Sequence, residues 1–159
     1  MLSYAILLSS ASAKNEHSSL NIHGEIYPNS CGSEQKRFLQ EQVLASGIPD
    51  AAQAWQAIYL ILCASGTHSN FGKVAALFTK QVRSEIESTA DDPIVRVVEG
   101  NEKLAASIMA AEKAWDTNIS TAGGKIVLQY FVNEACVKSA TLLYNKSKWS
   151  VYEVGQACD

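Results

Sequence analysis

Cys63 and His68 lie five residues apart, and a histidine near a thiol can lower the thiol's pKa and make a nucleophilic thiolate. Cys63, however, ends an apolar stretch and has cysteines elsewhere in the chain to pair with. The loop Ser65-Gly66-Thr67-His68-Ser69 therefore reads more simply as surface. Its small residues and single aromatic tip, His68 beside Ser69, suit insertion into a partner's cleft. Asp91 and Asp92 precede Pro93 and could form an acid–base pair or half a metal site, although adjacent carboxylates before proline more often make a solvated turn. As a turn they are the second candidate for partner contact. Glu134 interrupts the apolar run Phe131 to Cys136. Facing a pocket it would have a raised pKa and act as a general base; facing solvent it would do nothing. His17 and His23 have no carboxylate or cysteine at ligand spacing, so neither metal nor cofactor is expected. Phosphate-loop, G-x-S-x-G and H-E-x-x-H patterns are absent, and no catalytic residue is assigned.

These residues sit in a chain of 159, with 13 Lys+Arg against 16 Asp+Glu and a formal charge of −3. That length suits one domain, and 47 % apolar with 18 % charged residues allows a core. No basic run exists, which argues against nucleic acid as a partner. No stretch approaches the roughly 18 apolar residues of a membrane-spanning helix.

The chain begins with an apolar stretch, Tyr4 to Leu8, followed by Ala11-Ser12-Ala13, and residues 1–13 resemble a signal-peptide remnant. Residues 14–30 read as a polar extended arm and 31–159 as a single domain. The four cysteines, Cys31, Cys63, Cys136 and Cys158, contain no C-x-x-C pair, so zinc-ribbon and thioredoxin-type sites are excluded. Tyr144 and Trp149 flank Asn145-Lys146-Ser147-Lys148, which reads as a hairpin loop. Folding about it brings Cys136 and Cys158 within one residue of facing each other. The expected bonds are therefore Cys136–Cys158 and, by remainder, Cys31–Cys63. Such bonds imply a periplasmic or secreted protein.

The expected fold class is α+β, with about four N-terminal helices packed on a C-terminal antiparallel meander of three or four strands. Ser33 would cap a helix to Ala45. Asp50, with Gln53 in capping-box spacing, would cap a second from Ala51 to Ala64. Asn70 would cap a third of about 18 residues, in which Phe71, Val74, Ala75, Phe78, Val82 and Ile86 recur at helical spacing. Ile94 to Val98 could be a short strand. A fourth helix would run through Leu104, Ile108, Met109 and Trp115 until Gly123-Gly124 ends the helical part. Strands are expected at 126–132, 135–144 and 149–154. Trp55, Trp115 and Trp149 at these spacings read as core. Asn118 and Asn145 begin N-glycosylation patterns, which matter only in a eukaryotic secretory pathway.

The ending Lys148-Trp149-Ser150-Val151-Tyr152-Glu153-Val154, with the order of elements from Gln53 onward, is similar to the last strand of nuclear-transport-factor-two-like cone domains. That resemblance implies a curved sheet wrapped on helices around a pocket, used for ligand binding, small-molecule catalysis or protein contacts. The family's Asp/His pairs have no counterpart here. The functional expectation is a non-catalytic protein-binding module, of the kind that inhibits a toxin or hydrolase. Its mild acidity would steer it toward a basic partner. A small-molecule pocket domain, with Glu134 or His68 facing inward, is the alternative.

Overall fold

A computed structural model describes residues 21–23, 29–86 and 94–159. Residues 1–13, most of the expected arm, His17, Asp91 and Asp92 lie outside the described residues, as does the side chain of His23. The described elements run β1 (Asn21–His23), α1 (Ser33–Ala45), α2 (Ala51–Leu62), α3 (His68–Ala75), β2 (Phe78–Glu85), β3 (Arg96–Glu99), α4 (Glu102–Ile108), β4 (Trp115–Ala122), β5 (Lys125–Asn133), β6 (Cys136–Asn145) and β7 (Lys148–Cys158). The seven strands form one mixed sheet in the order β1-β4-β5-β6-β7-β2-β3. Its one parallel pairing joins β2 to β7, and the rest are antiparallel.

The expected four helices on a small terminal meander are therefore not what forms, because two predicted helices are largely strand. The third stops at Ala75 and the chain continues as β2. Phe78, Val82 and Ile86 are spaced by four, and a spacing of four satisfies a two-residue strand period as well as a helical one. Within β2, Val82 and Ser84 are buried while Lys80, Gln81 and Arg83 are exposed. The fourth helix ends at Ile108. Ala111 and Glu112 then take positive φ, and Trp115 to Ala122 form β4, burying Thr117 and Ile119 at strand period. Gly123 and Gly124, at φ +59° and +76°, make the tight turn between β4 and β5 rather than ending a helix.

Caps differ as well. Gly32, with no side-chain bond, precedes α1, and Thr67, not Asn70, caps α3, its hydroxyl accepting from Asn70 N. Asp50 takes a left-handed conformation and its side chain caps nothing. Its carboxylate instead accepts from the Tyr144 hydroxyl at 2.7 Å, and Gln53 Oε1 accepts from Trp149 N at 2.6 Å. Two groups that read as a local capping box thus tie α2 to the β6–β7 turn.

Both disulfides are formed, Cys31–Cys63 and Cys136–Cys158. The second closes because of a bulge. From the turn, β6 and β7 pair in the register Tyr144↔Trp149 and Leu142↔Val151, which would leave the two cysteines one residue out of step. Tyr152 is the extra residue, and beyond it Thr141 faces Glu153 and Cys136 faces Cys158.

One face of the sheet carries the core. Ile126, Leu128 and Tyr130 of β5, Ala140 and Leu142 of β6, and Trp149, Val151 and Val154 of β7 are buried. Helix α2 packs against β7 and α4 against β6. On α2, Ala54, Trp55, Ala57, Ile58, Ile61 and Leu62 are all buried, as its nearly all-apolar sequence requires.

Gly100 joins β3 to α4, and a methyl group there would overlap the Phe78 side chain. Gly100→Ala should therefore destabilise the fold by roughly 1–3 kcal/mol, the usual penalty of overpacking. Urea unfolding measures it; an unchanged midpoint would mean that Phe78 moves aside freely.

Candidate functional site

The short helix α4 is held firmly at both ends. Asn101 Oδ1 accepts from Leu104 N at 2.9 Å and caps the start. At the other end, carbonyls left without helical partners receive side chains from the sheet. Lys138 Nζ donates to Ser107 O at 2.6 Å, and the buried Tyr130 hydroxyl donates to Ile108 O. Half-burial of Lys138 lowers its pKa through desolvation. Full burial pushes the Tyr130 phenol far above its usual range.

The raised tyrosine makes a prediction. Native Tyr130 stays protonated where an unfolded tyrosine ionises, so its contribution is intact below about pH 10 and falls above that pH. Between pH 10 and 12 wild type should lose about 2 kcal/mol more than Tyr130→Phe in all, the slope approaching about 1.4 kcal/mol per pH unit at the upper end. Unfolding free energies of the two proteins across that range check this; parallel curves would contradict it.

With α4 fixed, an open cleft of about 290 Å³ lies between it and the strands β2 and β3. Ser84 and Arg96 are opposite each other in the β2–β3 register, as are Val82 and Val98, so Arg96 and Val98 share the sheet's inner face. Ile86, Ile94, Val98 and Leu104 supply its apolar wall. Ser84, Asn101 and Ser107 add polar groups, and Arg96, Glu99 and Lys103 bring charge. Among the described residues its lining contains one carboxylate, Glu99, and neither histidine nor cysteine.

A second, wider groove of about 440 Å³ runs along α2, lined by Trp55, Gln56, Tyr59 and Leu60. Its volume is larger, but its walls come from one helix and Gln56 is its only amide. The β3–α4 cleft draws on three elements and has convergent polar groups, which is how ligand sites are usually built.

The residues singled out from sequence fall elsewhere. His68 begins α3 rather than lying in a loop; its side chain is 87 % exposed and Nδ1 lies 3.0 Å from Glu102 Oε2 on α4. Ser69 is exposed beside it. Cys63 is bonded to Cys31, so the Cys63–His68 pair has no thiolate to offer. Glu134 is exposed in the β5–β6 turn and lines neither cleft. Among the described residues no group of three or more His, Cys, Asp or Glu could hold a metal ion. Trp149 and Trp55 are buried, while Trp115 is half-buried against Phe131 with ring centroids 5.0 Å apart. Sequence reasoning missed Arg96, Lys103 and the cleft itself, because the helix assigned to β2 removed one of its walls.

No family model matches the sequence, and no curated protein matches it. Among solved structures the chain is similar to a DUF4783 family protein from Bacteroides fragilis YCH46. Identity is 11 %, covering 65 % of this chain and 95 % of that one, with a TM-score of 0.44. It is also similar to a DUF4783 family protein from Bacteroides uniformis ATCC 8492, at 8 % identity, covering 59 % and 90 %, with a TM-score of 0.40. The two disulfides point to an oxidising compartment, extracellular or periplasmic. Among the described residues no helix is long and apolar enough to cross a membrane.

Proposed function

We propose that this chain is a secreted or periplasmic binding domain that holds a small molecule in the β3–α4 cleft. The observation that carries the reading is the cleft: an apolar wall and a few polar groups between β2, β3 and α4, on a scaffold pinned by Lys138, Tyr130 and Asn101. The cone-domain likeness of the terminal hairpin is part of the same proposal. Its support is one continuous sheet with helices on its buried face and a cleft at one edge.

The test is native mass spectrometry of protein purified from its own host. A bound small molecule should accompany wild type and be lost from Leu104→Trp on α4 and Ile94→Trp ahead of β3, which fill the cleft from different positions. Two variants are used because either alone could perturb folding. Bare protein would count against the reading.

A second reading, a protein-binding module of inhibitor or immunity type, is favoured by the edge strand β3. Val97 within it is 64 % exposed and Val95 just before it 44 %, and among the described residues β3 pairs only with β2. The acidic chain would favour a basic partner. Under this reading the host preparation carries a second protein in fixed ratio and no small molecule.

A further inference from the structure

The two disulfides stand in different surroundings. Cys63 is 4 % exposed within the core, and Cys31 packs against that core. Cys136 is half-buried and Cys158 exposed, and neither belongs to the core or packs against it. Thiol attack on a disulfide needs access to a sulfur, so the second bond is the one open to it. Its place in the sheet gives that bond something to hold. As far as Gly155, β7 is flanked by β6 on one side and β2 on the other. From Gln156 to Cys158, among the described residues, it pairs with β6 alone. There Gln156 faces Lys138, and both lie two residues from the disulfide and on its face of the sheet. Lys138 in turn holds the last turn of α4, its Nζ donating to Ser107 O at 2.6 Å.

We infer that Cys136–Cys158 is a redox latch: a reducing dithiol opens it while Cys31–Cys63 stays closed, and opening frees the end of β7 and loosens α4. This is independent of what the cleft holds. One thiolate of the dithiol attacks Cys158 Sγ, and Cys136 leaves as a thiolate and takes up a proton. The second thiolate attacks the reductant's own sulfur in the mixed disulfide, and Cys158 leaves in turn. The Gln156 amide, 3.1 Å from Cys158 Sγ, is a donor to that developing charge. Two electrons and two protons pass to the protein, and the dithiol ends as a disulfide. Tyr130 on β5 still donates to Ile108 O, so α4 loosens without detaching.

Brief dithiothreitol treatment of the full folded chain, quenched by alkylation and read by peptide mapping, tests the selectivity. Cys136 and Cys158 should be labelled about tenfold faster than Cys31 and Cys63. Equal rates would overturn the inference. Hydrogen exchange of the oxidised protein, the partly reduced protein and the double variant Cys136→Ser, Cys158→Ser tests the consequence. Amides of Gln156 to Asp159 and of Glu102 to Met109 should exchange about tenfold faster once the bond is open, with α2 unchanged. The serine variant reaches the open state without reductant; if it fails to fold, the reduced wild type decides. Lys138→Met should give fast α4 exchange in both redox states, while Gln156 to Asp159 still respond to the bond. Unchanged α4 exchange on opening, or a rise that includes α2, would mark the bond as merely structural and overturn the latch.

Discussion

Replacing Cys31 and Cys63 together by alanine should lower the thermal midpoint by roughly 7–15 °C under non-reducing conditions. The bond closes a sequence separation of 32 residues, and the chain-entropy relation assigns such a loop about 3.7 kcal/mol. It fastens the segment before α1 to the end of α2, where Cys63 is 4 % exposed. Besides the disulfide, that segment is held by Ser30, whose N–H donates to Ala114 O and whose hydroxyl accepts from Thr117 at 2.8 Å. These bonds keep the native position defined, so the loss falls mainly on the entropy of the unfolded chain. The pair Cys136 and Cys158 closes 22 residues and should give slightly less, about 3.4 kcal/mol. Scanning calorimetry of the two double variants measures both. A drop under 2 °C for Cys31 and Cys63 would mean the unfolded chain stays compact without the bond.

Trp149→Ala should have an effect of similar size, about 3–5 kcal/mol from lost burial and the cavity left behind. Trp149 is 2 % exposed and its ring centroid lies 5.1 Å from that of Tyr144. Its backbone N–H donates to Gln53 Oε1 and its indole N–H to Pro49 O at 2.7 Å. Alanine keeps the first bond and loses the second, leaving the Pro49 carbonyl without that donor. Trp149→Phe separates the two effects: it keeps most of the apolar contact and should lose only about 1–3 kcal/mol, the penalty of an unpaired polar group. Urea midpoints at constant slope give both numbers. If phenylalanine were as damaging as alanine, the indole hydrogen bond and not the burial would hold the β6–β7 turn to α2.

The parts legible in sequence were those where one period was unambiguous. Helix α2, with six buried apolar residues in twelve, and the β5–β7 strands, rich in Val, Ile and Tyr, read correctly because neither pattern has an equally good alternative. Residues 78–86 failed because spacings of four fit both periods, and tertiary pairing with β7 and β3 decided for strand. Residues 115–122 failed because Trp115 extended an apolar helical pattern, whereas the reversal at Ala111 and Glu112 needs positive φ in residues that do not advertise it. The hairpin arithmetic placed Cys136 opposite Cys158 to within one residue, and only the sheet could supply the bulge at Tyr152 that closes the gap.

The candidate site was almost illegible. Arg96 and Lys103 read as ordinary surface cations in the sequence, and only the pairing of β2 with β3 and the position of α4 beside them place both on one cleft. By contrast His68 and Glu134, which stood out by type, lie exposed and line neither cleft. Asp50 and Gln53 show the same limit at smaller scale: their spacing is that of a local cap, yet their side chains bond across the fold to Tyr144 and Trp149.

The most direct test of the cleft as the working site is a two-dimensional amide NMR titration of the intact protein with 1-octanol. Saturable shifts should gather in Ile94 to Glu99 and Asn101 to Ser107, with neighbours in β2 following. Shifts concentrated instead at Trp55 to Leu60 on α2, or spread evenly without saturation, would contradict the account.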